Sequence, residues 1–225
     1  MTSIPVALIP SHENNTHILQ MEDLIFVAIT ILFVGYVSYV MYQDSDYFQL
    51  KCVISNENQK TYCVRERTKI AEASDLLAKV SDKLEKLVQH MQADAPDDPM
   101  VQRIVKKFDA NKIKEILPTS EYTAYSENKG EKLALCLNES KENPDSRLIN
   151  ENTLMYVAMH ELTHVGCVSV GHGDEFWTNF KRIIEFAVKH NLYTAVDYKK
   201  QNELYCGMNL TDNPYFDKNI KSTPI

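Results

Sequence analysis

Residues 159–177 read MHELTHVGCVSVGHGDEFW and hold three of the chain's seven histidines. His160 and His164 stand four apart, Glu161 follows the first directly, and His172 lies between two glycines. On an α-helix, positions four apart lie one turn above each other on one face. Both imidazoles could then reach one ion about 2 Å away, the usual zinc–nitrogen distance. Glu161 is rotated about 100° from His160, which puts its carboxylate beside such an ion and not on it. There it could accept a proton from a water that the ion has acidified.

A third ligand has to come from outside the helix, and His172 is the candidate. Gly166, Gly171 and Gly173 supply backbone freedom for a chain that leaves the helix and returns. Three protein ligands leave one position open, as catalytic zinc sites do. A closed structural site would need a fourth, which Cys167 or Cys206 could supply. The other histidines do not read as ligands. His12 and His17 fall in a polar tail, and His90 and His190 fall at or near helix ends, where a cation suits the dipole.

The elements that must hold these residues are legible around them. A helix runs through LMYVAMHELTH, capped by Asn152 or Thr153 and ended by Gly166. Leu154, Val157, Ala158 and Leu162 bury it. A second helix starts at Asp174 or Glu175, with Phe176, Trp177, Phe180, Ile183, Ile184 and Ala187 as its apolar face. Upstream, residues 123–138 form a hairpin around Asn128-Lys129-Gly130. Its strand Lys132–Leu137 is expected to pair along an edge with an extended substrate. Tyr193, Tyr198 and Tyr205 are candidates for stabilising an oxyanion.

Residues 100–118 look like one or two short helices. Val101, Ile104, Val105 and Phe108 face inward, and Arg103, Lys106 and Lys107 face solvent. The stretch ADAPDDP, residues 93–99, is a linker or a sharp turn. Residues 65–92 have a helical pattern in which Ile70, Ala73, Leu77, Val80, Leu84, Leu87 and Met91 make a heptad seam. That seam serves either self-association through residues 70–91 or packing on the chain's own domain.

Leu24–Tyr42 contains no charged residue over nineteen positions, enough to cross a bilayer as a helix. Tyr36, Tyr39 and Tyr42 gather toward one end, as in an interfacial aromatic belt. Residues 1–23 hold no Lys or Arg, which excludes the positive start of a signal peptide. The basic residues follow the span, beginning with Lys51 and Lys60. The positive-inside rule then puts the C-terminal part in the cytosol. There Cys52 and Cys63 would be free thiols; facing an oxidising space they could pair. Asn14, Asn138 and Asn209 each begin an N-x-S/T triplet. A net charge of −7 argues against tight binding of nucleic acid.

HELTH followed by HGDEFW resembles the WLM family of small zinc metallopeptidases and the related SprT-type domains. The segments KKFDANKIKEILP, TAYSENKGEKLALCL and NENTLMYVAMHE are similar to that family's approach to its active helix, and LYCGMNL resembles its closing strand. The resemblance covers about Val101 to Asn213. It implies zinc ligands His160, His164 and His172 and a general base Glu161, although the turn between His164 and His172 is longer than in compact members. Family members that act on DNA–protein crosslinks carry DNA-binding segments, and none stands out here. The anchor resembles membrane-tethered versions encoded by large DNA viruses of eukaryotes, in a virion or host membrane.

The expected architecture is α+β. Its parts are a polar tail (1–23), a transmembrane helix (24–42), a juxtamembrane segment with the heptad helix and linker (43–99) and a minimal zincin-like domain (100–225). The expected function is zinc-dependent hydrolysis of protein or peptide substrates. The rival is a catalytically silent zinc-binding membrane or virion protein that acts through protein interactions.

Overall fold

A computed structural model describes residues 21–128, 130, 132–222 and 225. His12, His17 and Asn14 lie outside the described residues. The chain divides into two compact units, Met1–Met41 and Tyr42–Ile225.

The first unit contributes helix α1, Met21–Gln43, which is long and apolar enough to cross a membrane. Twenty-three residues rise about 35 Å, against a hydrocarbon core of roughly 30 Å. No residue of α1 is buried against protein. Its Thr30 hydroxyl donates to the Phe26 carbonyl at 2.8 Å, which leaves that polar group satisfied without water.

The second unit opens with a short helix α2, Asp46–Gln49, and an antiparallel hairpin of β1, Leu50–Ile54, and β2, Thr61–Arg65. Cys52 and Cys63 are register partners in it and form a disulfide. The long helix α3, Ile70–Asp94, follows. Its seam, Ala73, Leu77, Val80, Leu84, Leu87 and Met91, is 0 % exposed. The heptad face is therefore consumed by the chain's own core and is closed to self-association, which corrects that reading. The segment placed outside the domain is part of its centre.

ADAPDDP is a sharp turn. The Asp98 side chain accepts the amides of Met100 and Val101, capping helix α4, Pro99–Lys107, with Pro99 in its first turn. No second helix follows. A 3₁₀ turn at Ala110–Lys112 leads into strand β3, Ile113–Glu115, then β4, Ala124–Glu127, and β5, Lys132–Leu135. The sheet order is β3-β5-β4, with β3 parallel and β4 antiparallel to β5. β5 is thus the central strand, flanked by β3 and β4, so Lys132–Leu135 is paired on both sides and is not the free edge expected there.

Helix α5, Glu151–Gly166, packs against α3, α4, β4 and β5 and against helix α6, Asp174–Lys189. Asn150 caps α5 by accepting the Thr153 amide at 2.8 Å, in place of the expected Asn152 or Thr153. A last hairpin pairs β6, Glu203–Tyr205, with β7, Met208–Leu210. Cys206 and Gly207 form its two-residue turn with φ of 52° and 83°, the backbone of a type I′ turn. LYCGMNL is therefore a hairpin and not a single closing strand. A second disulfide joins Cys206 to Cys136 beyond the end of β5. Cys167 stands outside both disulfides.

A buried ion pair ties the first hairpin to the sheet. Arg67 meets Glu115 with both side chains almost fully buried, and Arg67 also donates to Asn138 Oδ1. The Arg65 amide donates to the same Glu115 carboxylate. Asn138 returns two bonds through Nδ2, to the carbonyls of Pro144 and Ser146. Burial pushes the Glu115 carboxyl up, and Arg67 opposes that push.

Gly166, the last residue of α5, lies where α4 packs against it. A Cβ at Gly166 would stand 2.7 Å from Met100 Cγ and 3.0 Å from Ile104 Cδ1. Gly166→Ala therefore overpacks this crossing and should lower unfolding stability by about 1–3 kcal/mol. Thermal unfolding checks this, and an unchanged midpoint would contradict the α4–α5 crossing.

Candidate metal centre

Helix α5 supplies His160, Glu161 and His164, and the loop at residues 167–173 returns His172 over them. His172 Nε2 lies 3.0 Å from His160 Nε2 and 3.1 Å from His164 Nε2. Tetrahedral zinc with bonds of 2.0–2.1 Å separates its nitrogens by about 3.3 Å. The three rings therefore converge as ligands of one small ion would, and the donor set fits zinc. Among the described residues this is the one group of three or more metal-capable side chains.

The ring of Phe176 forms a floor, with its centroid 4.8, 4.6 and 4.5 Å from those of His160, His164 and His172. Phe180 adds an edge contact to His160 at 5.3 Å. Both phenylalanines are 0 % exposed, so the imidazoles are oriented by rigid packing. Burial, then the two neighbouring imidazoles, depresses the His160 pKa to about 3. At neutral pH that ring is uncharged, the form that binds a cation.

Glu161 is 6 % exposed, and burial raises its pKa to about 7, against a smaller opposing effect from the Ser126 backbone amide. That amide belongs to the edge strand β4 and fixes the carboxylate on the cleft side of the helix. The cleft measures about 790 Å³. Residues 121–126, Tyr156, Val157, Met208 and Leu210 line it together with the three histidines and Glu161.

The other candidates fall away from the centre. Cys206 is in a disulfide, and the buried Cys167 thiol accepts a bond from Asn179 at 3.4 Å, so neither joins the histidines as a fourth ligand. Of the three tyrosines, only Tyr205 lines the cleft. Its hydroxyl donates to Thr123 O at 3.0 Å and accepts the Cys136 amide at 3.1 Å. Tyr193 and Tyr198 are buried in the core. Arg103, expected in solvent, turns inward and donates to Gly166 O at 2.6 Å. Sequence reasoning missed Tyr156, whose hydroxyl donates to Asp212 O at 2.9 Å, and the Met208–Leu210 wall. The alternation of a strand placing Met208 and Leu210 on one side was the available signal.

The buried carboxyl gives a pH test in the metal-free chain. Glu161 titrates near 4.5 when unfolded and near 7 when folded. Below 4.5 it is neutral in both states and costs nothing. Between those values folding requires proton uptake, so destabilisation grows with pH and levels off above about 7. Glu161→Gln should thus stabilise the metal-free chain by roughly 3 kcal/mol at pH 8 and hardly at all at pH 4. Chemical denaturation at both pH values checks this. Equal effects at the two would contradict a buried, neutralised Glu161.

No protein-family model matches the chain, and no solved structure matches it. It is 27% identical over 161 residues to an uncharacterized protein of Acanthamoeba polyphaga mimivirus, covering 69% of this chain and 80% of that protein. It is 40% identical over 47 residues to an uncharacterized protein of Invertebrate iridescent virus 3, covering 21% of this chain and 30% of that protein. A third relative, an uncharacterized protein of Invertebrate iridescent virus 6, is 34% identical over 59 residues, or 26% of this chain and 33% of its own. The chain has homologues among the proteins of viruses.

Proposed function

We propose that this chain is a membrane-anchored zinc metallopeptidase of the zincin type, akin to WLM and SprT-type domains. The observation that carries the reading is the convergence of three Nε2 atoms, two of them spaced 3.0 and 3.1 Å from the third, beside a buried carboxylate on the same helix. No fourth protein ligand stands with them among the described residues, which leaves room for water and substrate. His160, His164 and His172 would hold the ion. Bound zinc supplies an acidified water and polarises a substrate carbonyl.

The chain's own residues do the rest. Glu161 is the proton acceptor, and the carboxylic acid so formed can pass that proton on to a leaving amine. The Ser126 amide keeps the carboxylate aimed into the cleft. β4 presents a sheet edge on that cleft, to which an extended chain can add as a strand. Tyr156, Val157, Met208 and Leu210 give the cleft apolar walls that exclude water and receive apolar side chains.

Glu161→Gln keeps shape and an acceptor for Ser126 but removes the base. It should retain zinc and lose cleavage of loosely structured protein by roughly a hundredfold or more. No cleavage by either protein would leave a zinc-binding membrane protein without turnover, and equal cleavage by both would remove Glu161 as the base.

We also propose that the domain faces an oxidising space, against the charge-based expectation of a cytosolic one. The disulfides Cys52–Cys63 and Cys136–Cys206 favour such a compartment. The opposing charge signal rests on Lys51 and Lys60 alone near the span. In sealed microsomes the domain should resist added protease, and denatured, unreduced protein should expose one thiol, Cys167. A digested domain with five free thiols would restore the cytosolic orientation.

A further inference from the structure

We infer that Glu175 is the positioning residue for the third ligand, a role that rests on the metal-centre reading above. His172 must be held within about 3 Å of two other imidazoles, yet the loop that carries it has no regular secondary structure. Val168 and Val170 in that loop are 67 and 90 % exposed, and Gly171 has φ of +84°. Burial therefore does little to fix it. The carboxylate of Glu175, in the first turn of α6, does so. One oxygen accepts the Val168 amide and the other the Ser169 amide, each at 2.9 Å. Two charge-assisted bonds to successive backbone amides fix the direction in which the chain leaves α5.

Arg103 extends the clamp. Its Nε donates to Gly166 O at 2.6 Å, and its Nη2 lies 3.8 Å from Glu175 Oε1. One guanidinium thus meets both the last carbonyl of α5 and the carboxylate that opens α6. These helices carry the ligand pair and the phenylalanine floor. Glu175 is occupied on both oxygens by the loop and stands outside the histidine group, so it acts through His172 and not as a ligand. Its side chain is 34 % exposed, and the core under α6 does not depend on it.

The test is a double-mutant cycle on the full chain in detergent, with zinc affinity read by chelator competition. Glu175→Ala should weaken zinc binding roughly 10–100-fold, the usual effect of removing a group that orients a ligand. In a His172→Ala background the same change should have almost no effect, because the residue it positions is gone. Glu175→Gln, which keeps one acceptor, should fall between. Cobalt-loaded Glu175→Ala should lose visible absorption typical of the wild-type site while its metal-free melting temperature stays close to wild type. Equal losses in both backgrounds, or no loss in Glu175→Ala, would overturn the positioning role and leave the zinc site standing. Wild type that binds zinc no better than His160→Ala would overturn the metal centre itself, and this role with it.

Discussion

Helix α5 has to be buried on most sides and open on one, and the rest of the domain is arranged around that requirement. A helix with Leu154, Met155, Ala158, Met159, Leu162 and Val165 all at 0 % exposure needs partners on several faces. It finds them in α3, α4, α6 and the sheet. The remaining face carries His160, Glu161 and His164 toward the cleft. Burial of this kind has an electrostatic consequence. It drives the His160 ring to its uncharged form and pushes Glu161 toward its neutral form. A cation among the histidines would reverse the second effect by favouring the carboxylate.

Rigidity at the centre comes from long-range ties. Cys136–Cys206 spans 70 residues of sequence and fastens the β6–β7 wall of the cleft to the end of the central strand. Tyr205, next to that bridge, locks onto Thr123 and Cys136 through its hydroxyl. The Arg67–Glu115–Asn138 network does the same for the first hairpin. Removing one member of such a buried pair typically costs 3–5 kcal/mol, because a charge is left without a partner. These polar groups specify where the hairpins sit, a job apolar packing does loosely.

The site was far more legible in the sequence than its surroundings, and the reason is locality. His160 and His164 lie one helical turn apart, so geometry follows from spacing alone, and His172 is tethered close behind. The apolar span and the turn around Asn128 and Gly130 are local for the same reason. What could not be read was pairing at a distance. β3 lies parallel to β5 some twenty residues away, and that pairing turned a presumed helix into a strand and left β5 without a free edge. The seam of α3 looked the same whether its partner was a second chain or the body of its own domain. Arg103 appeared as one more cation on a surface, because its partners at Gly166 and Glu175 are 63 and 72 residues further along.

The proposed function requires that three imidazoles and no other side chain hold one zinc ion. X-ray absorption at the zinc edge, on full-length protein loaded with one equivalent, tests it most directly. Three imidazole nitrogens are expected at about 2.0–2.1 Å, with oxygen from water completing the shell. A sulfur neighbour at about 2.3 Å, a shell of four protein ligands, or failure to retain one zinc per chain would contradict it.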